Sequence, residues 1–259
     1  LETIKHFINK FDNIFLHHIE KNQFTFGRSL NIGFTEASGD IIVSLSAHCF
    51  PKNNMWLENM IDSFSNQNIG IVFGCQSAHP ETMHSESSVQ KTWFNGDSKI
   101  ITDVFLNNGN AAYRKKVWQE NNFDEELTGL EDIDLGKKAK VNNWEIFYSK
   151  DAEVEHLHRE NYKTISNRYR REAEALKNIN KNDKTDTQVI KNTFLHCLKG
   201  FLRGVNYDIK TSRDSLQPSS DIISILRYRY SQYLGTYRGY KNDMSKNKMT
   251  DLYFYPPKI

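Results

Sequence analysis

Apolar residues along the first third of the chain recur with two different periods. Leu1, Ile4, Ile8 and Phe11 share one stripe at helical spacing, and 13–18 (Asn-Ile-Phe-Leu-His-His) reads as a strand. A helix over 27–36 follows, then a tight turn at Ser38-Gly39-Asp40. Next comes a short buried strand over 41–45 that stops at the polar tripeptide Ser46-Ala47-His48. Trp56, Leu57, Met60, Ile61 and Phe64 recur at i, i+3 and i+4, which predicts a helix over 54–66, and 69–74 reads as the next strand. This alternation predicts an α/β domain with a mostly parallel sheet flanked by helices. The stretch 77–98 is polar and weakly periodic, which predicts a loop or lid. In such sheets chemistry gathers where a buried strand gives way to polar residues, here at Ser46 and His48.

Further along, 144–148 reads as a strand and 152–158 as an extended segment whose alternation puts His156 and His158 on one side. A charged helix over 162–177 carries Arg168, Arg170 and Arg171. The Asn-, Lys- and Asp-rich stretch 178–187 reads as a linker. Two helices are expected beyond it. One, over 189–205, aligns Ile190, Phe194, Leu198, Phe201, Leu202 and Val205; the other, over 222–240 with Ser220 or Asp221 as N-cap, aligns Ile222, Ile223, Leu226, Tyr230, Tyr233, Leu234 and Tyr237. A basic, aromatic amphipathic helix suits an anionic membrane surface. Packing of that face on the preceding domain, or on a second copy in a homo-oligomer, is the competing reading. The chain therefore divides into a domain over 1–177, a linker over 178–187 and a helical C-terminal extension over 188–259.

Composition narrows the picture only modestly. With 259 residues and 38% hydrophobic content, the chain can bury a large core with an appendage. A net charge of +2 offers no argument for a nucleic-acid partner. Cys49, Cys75 and Cys197 are scattered, with no Cys-x-x-Cys, which argues against structural zinc and for a reducing, cytoplasmic setting. No apolar run approaches the length of a membrane span, so a soluble chain is expected, at most peripheral at the inner face of the membrane.

Three blocks carry candidate chemistry. The first runs from Gly27-Arg28-Ser29-Leu30-Asn31-Ile32-Gly33 through Ala37-Ser38-Gly39-Asp40 to Ser46-Ala47-His48 and Pro51. The second joins Asn107-Asn108-Gly109-Asn110 to Tyr113-Arg114-Lys115 and Trp118, then Phe123-Asp124-Glu125 and Glu131-Asp132-Ile133-Asp134-Leu135. The third is Ala152-Glu153-Val154-Glu155-His156-Leu157-His158. In order and spacing, over about 1–177, they resemble family 2 of the GT-A glycosyltransferases. Two departures stand out: Ser46-Ala47-His48 occupies the place of the family's Asp-x-Asp, and the strand-helix-strand that opens family members is not seen before the first helix. The resemblance therefore implies a catalytic domain that is N-terminally incomplete here.

The resemblance implies an inverting glycosyltransferase, moving a sugar from a nucleotide-sugar donor to a hydroxyl of a glycan or lipid-linked acceptor, in capsule, O-antigen or other surface polysaccharide synthesis. Such a reaction needs a carboxylate to take the acceptor's proton. By position that residue is Asp132, with Glu131 beside it; Arg28, Asn31, Ser46, His48 and Asn110 fall on the donor side, and His156 and His158 at the diphosphate or a metal. Serine and histidine make a poor Mg²⁺ site, whereas imidazoles suit a softer Mn²⁺-like ion. Arg28, Arg159, Arg168, Arg170 and Arg171 offer metal-free neutralisation instead. Each feature also has a plainer reading: carboxylates at a helix start complement its dipole, and Arg28 and Asn31 can simply brace a helix. A nucleotidyltransferase and a non-catalytic glycan-binding or scaffolding domain are the rival classes.

Overall fold

The computed structural model describes residues 2–180, 193–241 and Phe254. Its sheet comprises β1 (Ile41–Leu45), β2 (Cys49–Pro51), β3 (Ile69–Ala78), β4 (Lys99–Ile100), β5 (Asn110–Arg114) and β6 (Glu145–His156), ordered β1-β5-β3-β6-β2 with β4 on β6. Among the described residues only β3 and β6 pair in parallel; the other pairings are antiparallel, so the expected mostly parallel sheet is instead mixed. The reason lies in the connections. β1, β3 and β6 do run one way, as alternation with helices requires. β5, entered through the irregular segment 101–109 rather than a crossover helix, slots between β1 and β3 in the opposite direction. β2 is reversed by the turn at 46–48, where the Cys49 N–H donates to the Ser46 carbonyl at 2.9 Å.

Both sheet faces are covered. Ile71, Phe73, Ala111, Tyr113, Leu135 and Ile146 build one core, while the alternate residues Val72 and Ala112 join Met60, Phe64 and Ala152 in the other. Helix α1 (Glu2–Lys10) leaves Ile4 and Phe7 exposed, while α2 (Phe26–Glu36), α3 (Trp56–Ile61), α4 (His84–Trp93), α5 (Lys115–Glu120) and α6 (Glu131–Val141) surround the sheet. The Thr25 hydroxyl caps α2, accepting the Arg28 N–H at 3.1 Å.

Two expectations fail here. Residues 14–20 form no strand, and Phe15 and Leu16 stand exposed without a neighbouring strand to pair with. The expected lid over 77–98 contains α4, whose residues 84–90 are all buried. Periodicity missed it because its buried face is polar and is satisfied by partners far away in the chain. His84, for example, bonds through Nδ1 to Ser215 at 2.8 Å and through Nε2 to the Asp208 carbonyl at 3.0 Å.

The C-terminal part comprises α7 (Tyr162–Ile179), α8 (Thr193–Ser212) and α9 (Ile222–Lys241). The proposed linker lies largely outside the described residues, as does Ile190. Asp221 caps α9, accepting the Ser224 N–H at 3.0 Å. The apolar stripes of α8 and α9 are not the buried ones. Ile225, Tyr228, Gly235 and Gly239 face inward, whereas Phe194, Leu198, Leu202, Ile222, Ile223, Leu226 and Tyr230 are exposed. A Cβ at Gly235 or Gly239 would lie 2.3 Å from the Ser166 or Arg170 carbonyl oxygen of α7, so the small-residue stripe wins the close contact.

Candidate active site

The chain reaches Glu131 through Leu130, whose φ of 59° and ψ of 24° are left-handed. That conformation costs a residue other than glycine about 1–3 kcal/mol. It sets Glu131 and Asp132 at the first turn of α6, both buried in the wall of a cavity of about 290 Å³. Asp132 Oδ2 accepts the Asn108 backbone N–H at 2.9 Å, and Oδ1 accepts the Ile133 N–H at 2.8 Å. Asn108 Nδ2 donates to Glu131 Oε1 at 3.4 Å, while Glu131 Oε2 is buried with no partner among the described residues. Burial, and then the neighbouring Glu131 charge, pushes Asp132 up to about 7. Burial likewise raises Glu131.

Three imidazoles line the same cavity: His156 at the end of β6, His48 in the turn before β2 and His158 just past β6. His156 is fixed in register between Cys49 of β2 and Ala78 of β3. Its ring centroid lies 4.7 Å from that of His48 and 4.3 Å from that of His158. One ligand atom from each of His48, His156 and His158 falls within 4.8 Å of the others. A hydrogen-bond chain sets the protons. Asn107 Oδ1 accepts from the Gly109 N–H and from Gln76 Nε2, both at 2.9 Å. Gln76 therefore presents Oε1 to His156 Nδ1 at 2.6 Å, which makes Nδ1 the protonated nitrogen and leaves Nε2 a bare lone pair. That Nε2 is buried and has no partner among the described residues. His158 is set the same way, its Nδ1 lying 3.0 Å from Glu86 Oε1. Burial, followed by the His158 and His48 charges, lowers His156 to about 3; burial and then His158 lower His48.

Glu86 is the hub behind the histidines. Arg168 reaches it at 2.8 Å, the Tyr228 hydroxyl donates to it, and these partners with His158 hold its carboxyl well below the usual range against the opposing effect of burial. Arg168 also bonds Glu160 at 2.8 Å, so its charge is spoken for. Arg159 pairs with Glu81 and Arg170 with Glu174. Arg171 differs: it lines the cavity, lies over the Phe26 ring at 4.8 Å, and its buried Nε has no partner among the described residues.

The structure thus brings Asp132, Glu131, Ser46, His48, His156 and His158 to one cavity. It does not bring Arg28, Asn31 or Asn110. Arg28 pairs with Glu125 at 2.9 Å. Asn31 ties α2 to the 123–125 loop, donating to the Phe123 carbonyl and Glu125 and accepting from the Trp118 indole and the Phe123 N–H. Asn110 is fully buried, accepts from the Trp56 indole at 2.9 Å and donates to the Cys75 and Ala152 carbonyls. These three brace the scaffold. Sequence reasoning missed Gln76, Glu86, Asn107 and Asn108; the Asn107-Asn108-Gly109 run was a signal for the last two, and nothing in the sequence marked Glu86.

Residues 1–124 match the family model described as glycosyl transferase family 2. Over those residues the chain is similar to family 2 glycosyltransferases. It is similar to the O-antigen chain rhamnosyltransferase RfbN of Salmonella typhimurium, with 27% identity over 158 residues, or 56% of this chain and 50% of the relative. The chain thus spans about half that relative's length. Among solved structures it is similar to the mannosyltransferase PcManGT of Pyrobaculum calidifontis in complex with GDP-Man and Mn²⁺, at 13% identity and a TM-score of 0.48, over 97% of this chain and 65% of that one.

Proposed function

We propose that this chain carries the catalytic site of an inverting sugar transferase acting in surface-polysaccharide synthesis, with Asp132 as the general base. The observation that carries this reading is the pairing of Asp132 with Glu131 in the cavity wall: burial and mutual repulsion tune Asp132 to about 7, the range in which a carboxylate takes a proton well at neutral pH. In the step proposed, the acceptor hydroxyl passes its proton to Asp132 while its oxygen bonds the anomeric carbon. The bond from that carbon to the diphosphate breaks, and the electron pair leaves on the nucleoside diphosphate. Ser46 and Arg171 line the same cavity, and Arg171 brings an unpartnered N–H toward the departing phosphates.

The three imidazoles fit a divalent ion. Two have their Nδ1 committed to Gln76 or Glu86, the arrangement that orients metal-binding histidines. An all-nitrogen set suits Mn²⁺ or a later transition ion better than Mg²⁺. Bound there, the ion would supply Lewis-acid neutralisation of the leaving diphosphate.

No described helix is long and apolar enough to cross a membrane. The outward stripe of α8 and α9 supports a peripheral setting at an anionic membrane. Incubation with a panel of nucleoside-diphosphate sugars tests the function: slow hydrolysis of one member, dependent on Asp132 and the histidines, is expected. No binding of any member would refute it.

A further inference from the structure

Tyr113 lies fully buried in β5, paired with Ile42 of β1 on one side and Ile71 of β3 on the other. Its ring packs edge-on against Phe34 and Phe123, with centroids 5.3 and 5.8 Å apart. Those contacts ask only for a ring, which phenylalanine would supply as well. The hydroxyl is a separate matter, because a buried polar group costs free energy unless it is bonded. It donates to Asn108 Oδ1.

Through Asn108 that bond reaches the reaction cavity. The Asn108 carbonyl accepts from Ser44 Oγ of β1 at 2.9 Å, which ties the segment before β5 to the sheet. Its backbone N–H holds Asp132 Oδ2, and its Nδ2 holds Glu131 Oε1. Every polar group of this one residue is engaged, and two of them serve the two carboxylates at the start of α6. A side-chain amide turns its oxygen one way and its nitrogen the other. With Oδ1 held by the Tyr113 hydroxyl, Nδ2 faces Glu131; the reversed amide would set oxygen against carboxylate oxygen. Burial, and then the Asp132 and Glu131 charges, raise the Tyr113 phenol well above its ordinary value. It therefore stays protonated, and a donor, wherever the enzyme works.

We propose that Tyr113 is a positioning residue for sugar transfer: its hydroxyl aims the Asn108 amide, and the aimed amide braces Glu131 beside Asp132. The proposal deepens the sugar-transfer reading and rests on it for the part of Asp132 as base. A donor on a carboxylate pair favours its fully ionised form, the form in which Asp132 can take a proton. Arg171 faces Glu131 from α7, beside Glu172, and His48, His156 and His158 share the cavity. Glu86 and Arg168, also in its wall, pair with each other. Tyr113→Phe leaves all of these in place and removes only the atom that aims the amide.

The test is an NMR titration of the Asp132 and Glu131 carboxyls in wild type, Tyr113→Phe, Asn108→Ala and the double variant. Alongside it runs the pH profile of hydrolysis for the member of the nucleoside-diphosphate-sugar panel that wild type turns over. Tyr113→Phe should raise the proton affinity of the pair about tenfold, the scale of one hydrogen bond to a charged group. The acid limb of kcat/KM should move up with it, so that turnover falls about tenfold on the acid side of neutrality and little at pH 9. Asn108→Ala keeps the backbone N–H on Asp132 and should show the same change. The double variant should show no more than either single one, since Tyr113 acts only through that amide. A hydroxyl that merely stabilised the core would lower turnover equally at every pH and add to the effect of Asn108→Ala. That result, an unmoved titration in Tyr113→Phe, or failure of Tyr113→Phe to fold would overturn the proposal. The two readings separate cleanly, because the titration needs no substrate. If it moves as expected and no donor is ever turned over, the sugar-transfer reading falls and the bracing stands. If turnover depends on Asp132 and neither the titration nor the acid limb moves, the part assigned to Tyr113 falls alone.

Discussion

Gln76 Oε1 lies 2.6 Å from His156 Nδ1, and this one contact decides which nitrogen of the buried imidazole faces the cavity. Since Asn107 already fixes the Gln76 amide, the bare Nε2 is set by a chain of partners that begins at a backbone N–H. Replacing Gln76 by Leu should free the ring and lower divalent-ion affinity by about 10–100-fold, the usual effect of losing an orienting partner. Thermal shifts with Mn²⁺, Zn²⁺ and Mg²⁺ measure this directly. Wild type should respond to the first two far more than to Mg²⁺, and Gln76→Leu to none.

The pH dependence of stability contains two opposing contributions. Asp132, raised to about 7 when folded, binds a proton more readily than in the unfolded chain. Its contribution is therefore largest below the unfolded carboxylate range and is lost as pH rises through about 7. His156, lowered to about 3, works the other way: its contribution is present above the unfolded histidine value and is lost on acidification below it. Asp132→Asn should thus be more stable than wild type at pH 8, by about 2–4 °C in Tm for each kcal/mol recovered. His156→Gln should flatten the acid limb. Melting curves from pH 4 to 9 on the three proteins check both signs.

Asn110 distinguishes a brace from a donor ligand. Asn110→Ala leaves the Trp56 indole and two carbonyls without partners. A loss of about 2–4 kcal/mol in denaturant unfolding is expected, with the KM for the sugar donor unchanged in whatever protein remains folded. A raised KM at unchanged stability would restore the donor role that its position in the sequence suggested.

Arg168 tests the buried network behind the histidines. Arg168→Met removes the guanidinium from the buried Glu86 carboxylate, leaving it only His158 and Tyr228, and should cost about 3–5 kcal/mol of stability. Adding Glu86→Gln to that variant should recover part of the loss, which the same unfolding measurement detects.

Much of the scaffold was legible in sequence because local period and long-range packing agree there. The strand over 41–45 and the shared side of His156 and His158 follow from alternation, while the helix start at Glu131 follows from the family resemblance rather than from a capping residue. Where they disagree, the sequence misled. α4 is buried through polar side chains, so its pattern resembles a loop until Arg168, His158 and Tyr228 arrive from other elements. α8 and α9 show the converse: their obvious apolar stripes face out, because Gly235 and Gly239 let backbone approach backbone on the other side. Arg28, Asn31 and Asn110 carry polar groups that suit either a ligand or a brace, and only their distances to Glu125, Phe123 and Trp56 separate the two. The antiparallel insertion of β5 depends on a connection whose path no residue pattern marks.

Asp132→Asn tests the central claim most directly, measured as turnover of the nucleotide-sugar donor alongside donor affinity. The substitution keeps the shape and one of the two backbone N–H contacts, from Asn108 or Ile133, but removes the group that accepts the proton. Turnover should fall by about 10²–10⁴-fold while donor affinity stays within about twofold, and the rise of wild-type kcat/KM through pH 7 should disappear. Retained turnover in Asp132→Asn, with the pH profile unchanged, would contradict the assignment of Asp132 as the base.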